Sequence, residues 1–243
     1  MLSGKPWCRD RIFRLSAVVF FCLLVTAATG KEKTDDNSLL DLILRSLSLH
    51  GPILLGTAVF LRASGMSWNR AFGFNVPPVG RAIMLGLAGT IVFLPVGWAL
   101  QNLSLKLLTW YHVATPPQEA VNEINKAGSP ANLVYLSVFA VVIAPLAEEI
   151  LFRGVIFALF KKIGYPRIAF WGSALAFAAM HLTVSIFLPL FVFGLVLAWL
   201  YDKTGNLLAS LTAHAFFNAI NLGLIFYGDY LTQSFEKLFP HLR

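Results

Sequence analysis

The sequence predicts an all-α, polytopic membrane helix bundle of about six core transmembrane helices, preceded by an N-terminal signal peptide or signal anchor. Three observations predict it. Hydrophobic residues fill 57% of the 243 positions and the mean hydropathy is +0.71, more apolar than one soluble core can hide. Only 13% of the residues are charged. Apolar runs long enough to cross a hydrocarbon core of ~30 Å recur at close spacing with short connections, which leaves no separable soluble module.

The first element is read from a basic flank with Lys5, Arg9, Arg11 and Arg14, the apolar run LSAVVFFCLLVTAATG and the polar stretch KEKTDDNS. This is the pattern of a secretory signal or short anchor over residues 1–30, and Ala28 and Gly30 fit a small-residue cleavage site. Residues 31–243 read as a single membrane domain, with further spans at about 46–61, 82–105, 132–160, 167–182, 184–200 and 206–227. The loop 109–131 sets Pro116, Pro117 and Pro130 around a short polar helix-like piece and belongs outside the bilayer.

If spans alternate from a cytoplasmic N-terminus, one side carries Arg62, Arg70, Arg81, Lys161, Lys162, Arg167 and Lys203 against Asp202 alone. The positive-inside rule makes that side cytoplasmic and the chain a multi-pass integral membrane protein, of the plasma membrane in a bacterium. The net charge of +7 and pI of about 9.6 therefore arise from topology. Without a basic amphipathic stretch, nucleic acid is excluded as a partner and membrane lipid is expected. Cys8 and Cys22 form neither a disulfide framework nor a zinc knot. Trp98, Trp110, Tyr111, Trp199, Tyr201, Tyr227 and Tyr230 fall near span ends and read as interface anchors.

Within the predicted spans only Glu148, Glu149 and Arg153 carry charge, all in PLAEEILFRG. A charge at bilayer depth costs a few kcal/mol, so such groups are paired or line a polar cavity. Glu149 and Arg153 stand at i,i+4 with the acid first, the favourable order for an ion pair. Glu148 lies ~100° around the helix and remains uncommitted. Two other helices carry imidazoles: FAAMH places Phe177 one turn before His181, and HAFFN places His214 one turn before Asn218. Counted from the flanking charges, Glu148, His181 and His214 lie ~16 to 21 Å deep, so three helices can meet at one level. An acid, two imidazoles and an amide at that level are the groups that activate a water and stabilise an oxyanion, which makes hydrolysis the natural reaction class.

In this order and on separate apolar helices, EEILFR, FAAMH and HAFFN resemble the CPBP family of intramembrane proteases, which includes the type II CAAX prenyl endopeptidases and bacteriocin-processing and self-immunity relatives. The resemblance covers about residues 80–228. It implies that Glu148 and His181 activate the water, that Glu149 and Arg153 support the site, and that His214 and Asn218 complete it as oxyanion donors or near a metal; Phe177, a supporting candidate one turn before His181, reads as a cavity wall or as packing. Family members have been described both as metalloproteases and as metal-independent glutamate proteases. Glu148, His181 and His214 could hold zinc as three protein ligands plus water, although there is no H-E-x-x-H. The implied substrate is a membrane-anchored peptide or protein, including a prenylated CAAX-type tail.

Two rival classes stand beside this expectation: a non-catalytic membrane scaffold or immunity protein, whose signature would be decayed motifs, and a proton-coupled transporter, whose signature would be inverted repeats. Neither signature is present. His50 has no polar i,i+4 partner and lies near an outer flank, so it reads as structural, as do His112 and His241. Asn221 reads as helix glue or a supporting group, and Gly154 as a point of close approach.

Overall fold

A computed structural model describes residues 9–29, 38–76, 78–115 and 119–238. Lys5, Cys8, Gly30, residues 31–37, Pro116, Pro117 and His241 lie outside the described residues, as do the side chains of Cys22 and Ala28. Among the described residues every regular element is helical: α1 Arg9–Thr29, α2 Leu39–Ala63, α3 Trp68–Phe72, α4 Val79–Trp110, α5 Glu119–Asn125, α6 Pro130–Lys162, α7 Pro166–Met180, α8 Val184–Thr204 and α9 Leu207–Leu238.

The ends of these helices follow local chemistry. Ser38, Ser67 and Ser129 accept the backbone N–H groups of Asp41, Arg70 and Asn132, satisfying donors that a helix start leaves unpaired. Gly73 and Gly205 close α3 and α8 at φ 75° and 64°, a conformation that costs a glycine little. Inside α2, Pro52 lacks an N–H and its ring collides with the preceding turn. The helix accordingly bends by 56° between Leu39–Ser48 and His50–Ala63.

Among the described residues four helices are long and apolar enough to cross a membrane, Val79–Trp110, Pro130–Lys162, Val184–Thr204 and Leu207–Gly228, and α2 makes a fifth if its two bent halves count as one span. The all-α polytopic bundle expected from the sequence is borne out, with a correction of detail at α7, whose 15 residues rise only ~22 Å. Its apolar run continues in sequence into α8, but the chain turns sharply at Leu182, where φ is +50°. Tyr201 is a second correction. It is fully buried against Phe157, ring centroids 6.0 Å apart, and is a core residue rather than an interface anchor, whereas Trp110, Tyr111, Tyr227 and Tyr230 are exposed as expected.

The bundle centre is α4, α8 and α9 packed against α6 and α7, with α1 lying along α2 and burying Leu15 and Val19. Between α4 and α9 the approach is set by Gly86, where a Cβ would stand 2.5 Å from the Ala209 carbonyl oxygen, and by Thr90, whose hydroxyl donates to the Ala213 carbonyl at 2.8 Å. The tight contact at Gly154 is with a side chain: a Cβ there would stand 2.5 Å from Cε1 of fully buried Phe72 on α3. Gly154→Ala is therefore expected to destabilise the fold by ~1–3 kcal/mol, read as a lower thermal midpoint in detergent and partly recovered by Phe72→Leu.

Candidate functional site

Helix α6 contains two π-helical stretches, Phe139–Ile143 and Ile150–Phe157, on either side of the short α-helical piece Ala144–Glu149 that carries both glutamates. A π turn widens the helix and shifts the faces on which later residues emerge, and such turns concentrate at functional sites. The first stretch is pinned from α9: the Asn218 side-chain amide donates to the Ala140 carbonyl at 2.8 Å. Asn221, by contrast, donates to the Phe217 carbonyl of its own helix and acts as helix glue.

The charged residues form two tiers. In the buried tier Arg153 Nη1 donates to Glu149 Oε1 at 2.7 Å, both side chains being fully enclosed, which is the ion pair expected from their spacing. Arg153 Nη2 donates to the Gly194 carbonyl on α8 at 3.0 Å. His214 reaches the same Oε1 through Nδ1 at 3.1 Å; a carboxylate can only accept, so Nδ1 carries the hydrogen. Phe177 supports this tier: the Arg153 guanidinium lies 4.8 Å from its ring centroid, and the rings of His181 and His214 meet it edge-on at 5.0 and 5.4 Å. With no exposed surface, Phe177 is packing rather than a cavity wall.

The upper tier opens on a cavity of about 390 Å³ between α2, α5, α6 and α7, a volume in the range of ligand sites. Glu148 and His181 line it, and apolar walls are supplied by residues such as Phe152 and Met180. His181 sits at the end of α7 with Nδ1 2.8 Å from the Phe177 carbonyl, so Nε2 is its free nitrogen. The following Leu182, 92% exposed and at φ +50°, is strained backbone directly beside the site.

Glu148 is the junction of the tiers. Its Oε2 lies 3.8 Å from His214 Nε2, too long for a direct hydrogen bond, and is buried with no hydrogen-bond partner of its own. Its Oε1 faces a residue that sequence reasoning set aside: His50 Nε2, at 3.5 Å. The expectation that His50 is structural placed it near an outer flank, whereas its Nδ1 lies 3.0 Å from the Ser46 carbonyl one turn earlier and its Nε2 faces Glu148. The bend in α2 carries this ring, placed near an outer flank by residue counting, inward to the carboxylate.

The geometry thus brings together Glu148, Glu149, Arg153, Phe177, His181 and His214, adds His50, and sets Asn218 behind the site with one of its two N–H groups spent on Ala140. Glu148, His181 and His214 do not converge as zinc ligands; among the described residues no group of three His, Cys, Asp or Glu side chains is arranged to hold a metal ion.

Glu148, Glu149, His181 and His214 all fall within residues 130–220, and these residues match the family described as "Type II CAAX prenyl endopeptidase Rce1-like". Residues 130–220 are Rce1-like. The resemblance carried by EEILFR, FAAMH and HAFFN is borne out over this Rce1-like segment, which contains all three motifs. Two curated bacterial proteins are similar to the chain. One is "UPF0177 protein YxdF" of Lactococcus lactis subsp. lactis (strain IL1403), 33% identical over 101 residues, which are 41% of this chain and 53% of the relative. The other is "Uncharacterized protein YpbD" of Bacillus subtilis (strain 168), 31% identical over 87 residues, 34% of this chain and 42% of the relative. The chain thus spans about half the length of the curated relatives it matches. No solved structure matches it.

Proposed function

We propose that the chain is an intramembrane endopeptidase that hydrolyses a peptide bond of a membrane-associated substrate, with Glu148 taking the proton of the attacking water. The observation that carries this reading is a carboxylate surrounded by three imidazoles at a cavity in an apolar bundle, where the charge cost must be offset by use. The Rce1-like match of residues 130–220 supports the reaction class.

In this reading water sits at Glu148 Oε2, loses a proton to it as the oxygen attacks the carbonyl carbon, and is oriented by the free Nε2 of His181. His214, held through Nδ1 by Glu149, stabilises the oxyanion in its doubly protonated form, with Nε2–H as donor and Glu149 as counter-ion. Glu148 then returns the proton to the departing amine as the C–N bond breaks. Asn218 acts by positioning: its bond to Ala140 holds the stretch of α6 that precedes the glutamates. The substrate class is a membrane-anchored peptide, a prenylated CAAX-type tail included.

Purified wild-type protein in proteoliposomes, given a panel of anchored peptides with and without a prenylated tail in water labelled with heavy oxygen, is expected to cut at least one. Mass spectrometry would then find one labelled oxygen in the new carboxyl terminus. Binding of panel members without cleavage of any would make the chain a non-catalytic scaffold instead.

A further inference from the structure

The imidazole of His50 lies outside the Rce1-like segment and outside every motif of the resemblance, yet it makes the shortest side-chain approach to Glu148 among the described residues. Three features fix it there. Its Nδ1 must carry the hydrogen, because the Ser46 carbonyl 3.0 Å away can only accept. The ring of Phe139, on the first π stretch of α6, meets it edge-on with centroids 5.0 Å apart. The bend of α2 aims its Nε2 at Glu148 Oε1.

With Nδ1–H already assigned, Nε2 holds either a lone pair or a second proton. A lone pair facing a carboxylate would be repulsive, so a proton on Nε2 is what would let the ring hold Oε1. The cluster around the pair holds a second carboxylate, Glu149, bound by the guanidinium of Arg153 and by His214. The other groups facing this pair are His214 from α9, His181 from α7, and Arg45, which is bound by Asp41 on its own helix and Glu123 on α5.

We propose that His50 is a positioning residue of the hydrolytic site: by holding Glu148 Oε1 through a shared proton, it turns Oε2 toward the attacking water. This rests on the hydrolase reading. The net chemistry is unchanged, since one proton passes from water to Glu148 and on to the amine, while the proton between His50 and Glu148 stays in place.

The test compares His50→Gln, which can still donate to Oε1 but does not titrate, with His50→Leu, which can do neither. In proteoliposomes with a cleaved anchored peptide, His50→Leu is expected to lower kcat by about 100-fold with KM within about threefold. His50→Gln is expected to recover part of that loss while the pH profile of kcat loses one of its limbs. Rates within threefold of wild type for both variants, with an unchanged pH profile, would overturn the proposal.

A second measurement needs no substrate. Infrared difference titration of the Glu148 carboxyl band, assigned with Glu148→Gln, is expected to move by about one pH unit in His50→Leu. An unmoved titration overturns the role of His50 even if no peptide is ever cut. Failure to cut, with the titration moved, counts against the hydrolase reading alone.

Discussion

Glu148→Gln is expected to lower kcat/KM for a membrane-anchored peptide by ~10²–10⁴ while the protein melts at or above the wild-type temperature. The amide has the shape of the carboxylate and can still meet His50 Nε2, but it cannot take a proton from water. Glu148 brings a second negative charge to a cluster whose single guanidinium is already bound to Glu149, so removing that charge relieves the fold rather than weakening it. The opposite signs of the two effects give the prediction its force. Single-turnover cleavage in proteoliposomes and a thermal melt of the same preparation check it together. A variant that cuts at the wild-type rate would place the base elsewhere, and one that fails to fold would make Glu148 a packing residue.

The largest expected effect on stability is at Arg153. Arg153→Met should cost ~3–5 kcal/mol, because Glu149 is left as a fully enclosed carboxylate whose remaining partner, His214, is a weaker counter-ion, and because the Gly194 carbonyl loses its donor. The double variant Arg153→Met with Glu149→Gln should regain most of this loss, since the glutamine oxygen can still accept from His214 Nδ1. Thermal melts of the two variants in one detergent separate the burial of an unpaired charge from the loss of side-chain volume, which both share. Equal midpoints for the single and double variants would refute the charge argument. The ion pair of Lys161 with Asp202 is the useful contrast: it joins α6 to α8 in the same bundle but is about one-third exposed, where such pairs contribute ~1 kcal/mol or less.

What could be read from the sequence was what depends on residues close together in the chain. Glu149 and Arg153 at i,i+4 pair as their spacing requires, and Phe177 with His181 shares a face for the same reason. The contact of His50 with Glu148 joins residues almost a hundred positions apart and depends on a bend, so no count of spacings reveals it. The nearest signal was Pro52, which predicts a break in α2 beside His50. The first π stretch of α6 was equally hidden, because the donor that binds its Ala140 carbonyl, Asn218, comes from another helix.

The cavity is built from two pieces of chain with different histories of match. Glu148, Phe152, Met180 and His181 belong to residues 130–220, whereas Leu42, Arg45, Ser46, His50, Glu123 and Ile124 precede them. The wall with Glu148 and His181 thus lies inside the matched segment, and the facing wall with His50 lies outside it. On the proposed reading a substrate would meet both walls, and transplanting residues 130–220 alone would leave Glu148 without the ring that holds it.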